Sequence, residues 1–431
     1  MEERLEVLLS SENTGLLWNM CVWDVSTGSS LKSYKGHSTK AKTATFLGNS
    51  YLISSQSSQP LLNVWQINRH EQKVQKYTTP GVLESLAGSP CGHFLIGTNE
   101  ERIYVWQTAS GKLLKIITSG HYQKIKQVRF TSDGSHFVTA GEDGNTLLWA
   151  VDNVVNQSPD KCKPRHVWNH HSLGVSDFHL GFGGLQSRIF TCSKDQTAKV
   201  YCVSSGQYLL NIEFPLPLTS IAIDSAEESG FVGTTKGLIY TFSLKSVPRD
   251  LKLSIDGTPD NTFRGHTNTV TCLSVSLDGS HLASGSEDKD VRIWHVKSRQ
   301  CLKLIPHKGT VTTLIYMVPK PGMLKPEDYK EKLTFSQLEK TAIDKQTLIK
   351  NDLYSLNILC PKSKFDDRIE EPSARELLKT ISENATNAKR NQLEVTGDAD
   401  AADPSEIKRL KTMNQKLYEA ALKAILNDKP S

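Results

Sequence analysis

One interval governs what this chain can fold into. Short runs of the form apolar-x-apolar-aromatic end at Trp23, Trp65, Trp106, Trp149, Tyr201, Phe242 and Trp294. The steps between these residues are 42, 41, 43, 52, 41 and 52. A period of about 40–45 residues is that of a four-stranded blade in a radial β-propeller. The two long steps hold polar, proline-bearing insertions at 152–165 and 246–261, and removing about ten residues from each restores the period. A ring of this kind must pair its first and last blades or leave a bare sheet edge. Only two strands, 5–9 and 16–23, precede Trp23, with 31–34 as their outer partner. The innermost strand is then expected to come from 311–318, VTTLIYMV, so that both ends share one blade. The expectation is an all-β, seven-bladed propeller over residues 1–320.

The clearest unit is 264–296, RGHTNTVTCLSVSLDGSHLASGSEDKDVRIWHV. It resembles the WD-repeat family, whose blades carry a buried His, Ser/Thr, Asp and Trp set. His266, Ser284, Asp288 and Trp294 fit that set. His121, Thr139, Asp143 and Trp149 repeat its spacing. His171, Thr191, Asp195 and Tyr201 fit with two extra residues in the first interval and a tyrosine for the tryptophan. His37, Ser55 and Trp65 form a partial set with Gln59 where Asp is expected, and the blades ending at Trp106 and Phe242 lack it. A hydrolase triad would also use Ser, His and Asp, but it occurs once, beside an oxyanion hole. Sets that recur beside a blade aromatic read as structural networks. No catalytic residue, cofactor site or metal site is therefore expected.

Other features are consistent with a binding protein. The chain is 37% hydrophobic and 23% charged, as in globular proteins, and its formal net charge of +5 is too mild to imply a nucleic-acid partner by itself. No apolar run is long enough for a membrane helix, and 1–10 has neither the basic start nor the apolar core of a signal peptide. An intracellular protein is expected. None of the eight cysteines forms a C-x-x-C pair, so they read as small buried hydrophobes. Cys162, His166, His170, His171 and His179 are loosely spaced like zinc ligands, but His171 already has a blade role. Gly181-Phe182-Gly183-Gly184 lacks the Lys-Ser/Thr of a P-loop and reads as a turn. Basic clusters at Lys124, Lys126 and Arg129, and at Lys297, Arg299, Lys303 and Lys308, suit solvated blade edges or RNA phosphates.

Beyond 320 the pattern changes. Residues 321–403 read as an irregular arm followed by a flexible linker, and 404–427 as an amphipathic helix. Ile407, Leu410, Asn414, Leu417, Ala421 and Ala424 form an a/d seam with one polar position, a short coiled coil for a partner or a second copy.

The stretch 165–184, RHVWNHHSLGVSDFHLGFGG, is more than a generic repeat requires. With the Cys21-Val22-Trp23 strand, His121-Tyr122, Ser204-Ser205-Gly206, the VTCLSVSLDGS blade and the Asn414–Leu417 helix, it is similar to the WD repeat-containing protein 18 family. That resemblance implies a scaffold subunit of a Rix-type complex on pre-60S ribosomal particles, in the nucleolus and nucleoplasm with a share in the cytoplasm. It implies a proline-, glutamate- and leucine-rich scaffold partner, a subunit like testis-expressed protein 10, recruitment of the AAA ATPase midasin, and support for processing of the second internal transcribed spacer. It also implies a SUMO protease association and leaves room for rRNA contact. The alternative from the residues alone is another WD adaptor, such as a ubiquitin-ligase substrate receptor or a chromatin-associated propeller.

Overall fold

The computed structural model describes residues 6–16, 18–69, 73–156, 162–245, 251–258, 261–324 and 335–340. The candidate coiled-coil seam at Ile407, Leu410, Asn414, Leu417, Ala421 and Ala424 lies outside them. Within the described residues the chain forms seven sheets, antiparallel but for one added strand, arranged as the blades of a propeller. Blade 1 is ordered, from the axis outward, Val311–Met317, Val7–Glu12, Met20–Asp24 and Ser30–Tyr34. The last strand of the ring therefore pairs with the first strand of the chain, Leu8 opposite Tyr316 and Ser10 opposite Leu314. Blades 2 to 7 each start at an innermost strand: Thr45–Leu47, Ser85–Gly88, Ile125–Phe130, Val175–Leu180, Leu218–Ile223 and Val270–Val275.

The apolar alternation of the strands is spent between blades. Trp149 of blade 4 packs with Phe137 and the blade 3 residues Ile103 and Val105, and Trp294 of blade 7 packs with Phe231 and Phe263 of blade 6. In blades 1, 3, 5 and 7 the aromatic sits just after a register shift, at Val22/Trp23, Val105/Trp106, Val200/Tyr201 and Ile293/Trp294. A bulge re-aims the side chain it carries, and here it seats a large ring in the seam between sheets.

The two insertions are structural. The first begins with helix Val151–Asn156, whose Val154 is buried against the core of blades 3 and 4. The second sends Lys252–Ser254 back to pair in parallel with Tyr208–Glu213, a fifth strand on blade 5, before Thr262–Phe263 completes blade 6. Beyond the ring, 335–340 lies on blades 2 and 3. Ser336 N–H donates to the Thr108 carbonyl at 3.1 Å, and Glu339 N–H to that of Gly111 at 2.8 Å. Leu338 is buried with Tyr51, Tyr104 and Trp106.

Candidate functional site

The sets found in the sequence are assembled in three blades. In blade 7, His266 Nε2 and the Trp294 indole N–H meet the Ser284 hydroxyl at 2.7 and 2.8 Å, and His266 Nδ1 meets Asp288 at 2.8 Å. Because the carboxylate can only accept, the neutral imidazole carries its hydrogen on Nδ1 and donates it to Asp288, and Nε2 then accepts the serine hydroxyl hydrogen while the hydroxyl oxygen accepts the indole N–H. Blade 4 repeats the chain through His121, Thr139, Asp143 and Trp149, at 2.8 Å from His121 to Thr139, 3.0 Å to Asp143 and 3.1 Å from Trp149 to Thr139. Blade 5 keeps His171 at 2.8 Å from Thr191 and 2.9 Å from Asp195, with buried Tyr201 in the aromatic position. Each aspartate also accepts the backbone N–H after its histidine: Tyr122, Ser172 and Thr267. The set thus ties the loop that leads into a blade to the turn between its second and third strands.

Blade 1 holds a fourth set that the sequence did not reveal. Ser10 lies 2.7 Å from the Trp23 indole N–H and 2.9 Å from His307 Nε2. Glu12, fully buried, stands for the aspartate and accepts the N–H groups of Lys308 and Gly309 at 3.0 and 3.1 Å. One half comes from each end of the propeller. His307 stands four residues before the innermost strand, as His121, His171 and His266 do, which is the signal that would have found it.

Blade 2 corrects the expected partial set. His37 is exposed and does not meet Ser55, Gln59 is exposed, and the Trp65 indole donates to the Lys35 carbonyl at 3.0 Å. A different buried group replaces it: Asn19 joins Thr39 and Ser54, and Gln56 donates to Asn63 at 2.9 Å. In blade 3 the Trp106 indole donates to the Glu339 carbonyl at 2.9 Å, so 335–340 supplies what a His/Ser pair supplies elsewhere. Three of the described cysteines are buried, but Cys91 and Cys301 are exposed, so the reading of all of them as core residues is too broad.

Titration follows from this burial. Burial holds His171 and His266 below the usual imidazole range against the pull of Asp195 and Asp288, and it lowers His136 and His307 too. For Asp143, Asp195 and Asp288 burial is the largest single influence and acts upward, but the hydrogen bonds and charge of His121, His171 and His266 together with the neighbouring backbone amides outweigh it and leave each below the carboxylate range. In the unfolded chain the histidines titrate near about 6.5. Below that pH the unfolded state binds more protons than the folded one, so their contribution is present above about 6.5 and is lost on acidification. The aspartate contribution follows as pH falls below about 4. The melting temperature at constant ionic strength is expected to fall steadily from pH 7.5 to pH 5; a flat or rising profile would contradict this assignment.

The stretch singled out in blade 5 runs across the ring. Leu173, 53% exposed, sits in the loop leading into the innermost strand Val175–Leu180, and Phe182, 64% exposed, in the turn that follows it. Gly183 and Gly184 have φ of 112° and 60°, and the turn closes on the Ser132 hydroxyl of blade 4. Between them Phe178 packs into the core while Asp177 and His179 line an axial cavity of about 490 Å³. Asp177 is buried. It accepts the Ile221 N–H of blade 6 at 3.2 Å and faces Lys42 of blade 2 at 3.4 Å and Arg129 of blade 4 at 3.8 Å. Lys42 also donates to the Ser176 carbonyl. His179 is pushed down to about 3 by burial and by Arg129. One carboxylate thus joins four blades around the axis. Asp177→Asn is expected to cost about 2–3 kcal/mol, below the range for a fully buried pair because Arg129 is half-exposed. Chemical denaturation measures it, and a cost under about 0.5 kcal/mol would remove Asp177 from this role.

The remaining sequence candidates are dispersed. Cys162 is buried in the blade 3–4 core, His166 rests on Trp168, and His170 stacks on Tyr208 at 4.9 Å. Among the described residues no group of three His, Cys, Asp or Glu is placed to hold a metal ion, and no helix is long and apolar enough to cross a membrane. Of the basic clusters, Lys124 pairs with Glu84 at 2.7 Å and Lys126 with Glu142 at 2.6 Å. In the lead-in loops of blades 4 and 5, Tyr122 and Leu173 are 85% and 53% exposed.

Comparison with known proteins agrees with this architecture. The model of the WD domain, G-beta repeat, matches residues 111–150 and 257–295, in blades 4 and 7. WD repeat-containing protein 18 of Rattus norvegicus is 39% identical over 330 residues, 76% of either chain. The protein of that name from Homo sapiens is 36% identical over 343 residues, 79% of either chain. Pre-rRNA-processing protein IPI3 of Yarrowia lipolytica is 32% identical over 316 residues, 70% of this chain and 72% of its own.

Proposed function

Because the chain belongs to the WD repeat-containing protein 18 family, we propose that it is a non-catalytic scaffold subunit of a Rix-type complex that matures the pre-60S ribosomal particle. The observation that carries this reading is the extent of the likeness: relatives named for pre-rRNA processing match 70% or more of the chain. The geometry supports a binding role, since the Ser/Thr, His and Asp sets are buried and recur in three blades, with a Ser10, His307 and Glu12 counterpart in a fourth, each with its hydroxyl shared with a histidine and not open to a substrate.

In this reading the ring is a platform for a proline-, glutamate- and leucine-rich helical scaffold and a subunit like testis-expressed protein 10. The assembly supports removal of the second internal transcribed spacer, recruits midasin, and works in the nucleolus and nucleoplasm. A SUMO protease association, rRNA contact and pairing through Ile407, Leu410, Asn414, Leu417, Ala421 and Ala424 belong to the same proposal. A tagged pull-down with mass spectrometry, joined to northern analysis of pre-rRNA after depletion, tests it. Recovery of the scaffold with 60S assembly factors and accumulation of spacer-containing precursors is the expected result. Recovery of a ubiquitin ligase or chromatin complex with normal pre-rRNA would overturn it.

A further inference from the structure

The outer edge of each blade is where a propeller is open to strand pairing, and this chain treats six of the seven alike. In blade 1, Lys32 on the outer strand reaches the Ile67 and Met323 carbonyls, and Met323 is fully buried over that blade. In blade 2, Phe335 packs edge-on against Tyr77 at 5.0 Å. In blade 3, helix Val151–Asn156 covers Ile117. The outer strands of blades 4 and 6, His166–Trp168 and Thr262–Phe263, are three and two residues long. Blade 5 carries its added strand, Lys252–Ser254. Short or covered edges are how soluble sheets avoid unwanted pairing.

Blade 7 departs from this. Its outer strand, Cys301–Pro306, has six residues and no strand beyond it among the described residues. Leu302 and Leu304 are 50% and 49% exposed on one side. On the other, Lys303, Ile305 and Pro306 border a groove of about 430 Å³ with Trp23, Thr27 and Gly28 of blade 1, and the Lys303 ammonium donates to the Ser26 carbonyl there. The charge along this edge has one sign. Lys297, Arg299, Lys303 and Lys308 lie on or beside the strand, and 296–317 contains no Asp or Glu. The carboxylates around it are engaged elsewhere or lie on the neighbouring strand: Glu12 of blade 1 is buried and accepts the Lys308 and Gly309 amides, Asp288 is committed to His266, and Asp290 stands opposite Pro306.

We propose that Cys301–Pro306 accepts an extended, acidic segment of a partner protein as a fifth strand of blade 7. Backbone pairing would supply affinity, and alternate apolar side chains on Leu302 and Leu304 with Asp or Glu between them would supply selectivity. A second copy of this chain is a poor occupant, because self-pairing sets lysine and arginine against one another. RNA would use the cations but has no use for the leucines or the unpaired backbone. Blade 5 shows that an added strand is compatible with this ring. The inference requires only that the chain works in an assembly, whichever particle that assembly serves.

The test uses the full chain, alone and in the complex purified from cells through a tag. Amide hydrogen exchange over Cys301–Ile305 is expected to slow by about tenfold or more in the complex, and this protection to disappear in a Leu302→Lys, Leu304→Lys double variant whose melting temperature is unchanged. A photo-crosslinking residue in place of exposed Gln300 should join a segment of another protein that contains both apolar and acidic residues. Unchanged exchange in the complex, or a crosslink to RNA, to this same chain or to a segment without acidic residues, would overturn the proposal. Crosslinking to an acidic segment in a complex unrelated to ribosomes would leave it standing while removing the proposed particle.

Discussion

A chain shortened to begin at Asn13 is expected not to fold cooperatively. The lost strand carries Val7, Leu8 and Leu9, all buried, and pairs on one side with Met20–Asp24 and on the other with Val311–Met317. Burying three such side chains contributes about 5–9 kcal/mol, comparable with the whole stability of an ordinary domain, about 5–15 kcal/mol. The loss also removes Ser10 and Glu12, so the Trp23 indole, His307 Nε2 and the Lys308 and Gly309 amides lose their partners. Thermal denaturation followed by circular dichroism reads the outcome: no cooperative transition in the shortened chain, recovered by adding a peptide of residues 2–12 in trans. A finer version keeps the strand and changes one atom. Ser10→Ala should cost about 1–3 kcal/mol, since the half-buried Trp23 indole N–H and the buried His307 Nε2 both lose their partner while His307 Nδ1 keeps the Ile305 carbonyl. A shortened chain that melts like the intact one would show that the ring does not depend on this latch.

The latch marks where sequence reading stops. The fold was legible because the aromatic period and the insertions are local signals, and because a ring needs a partner for its first blade. The sets in blades 4, 5 and 7 were legible because all their members lie in one unit. Ser10 and His307 are 297 residues apart, and Glu12 replaces the usual aspartate at a different offset, so spacing within a unit could not join them. Blade 2 shows the opposite error. Gly36 packs on Trp65 as Gly120 does on Trp149 and Gly265 on Trp294, and His37 keeps the same 28-residue spacing to its tryptophan, so His37, Ser55 and Trp65 read as a partial set. With Gln59 exposed, however, no carboxylate holds His37 in place. The channel constellation of Lys42, Arg129 and Asp177 was invisible for a third reason. Its members come from three blades and meet only when the ring forms.

Trp294→Ala is expected to lower stability by about 3–5 kcal/mol, the range for truncating a large buried aromatic. Trp294 is 2% exposed, fills the seam between blades 6 and 7 against Phe263 at 5.7 Å, and donates its indole N–H to Ser284. Two further variants separate packing from the polar chain. Trp294→Phe keeps much of the ring contact and removes one donor, so it should cost less than Trp294→Ala. His266→Ala leaves Ser284 with the indole alone and Asp288 with only the Thr267 and Asp290 amides, at about 2–4 kcal/mol. Because these groups act as one chain, Trp294→Phe combined with His266→Ala should cost less than the sum of the two. The same variants separate scaffold from enzyme. If the set is structural, loss of function in cells should track the fall in folded protein and be relieved by lower growth temperature. A His266→Ala protein that is as stable and abundant as the parent, yet inactive, would mean that blade 7 does chemistry and not support.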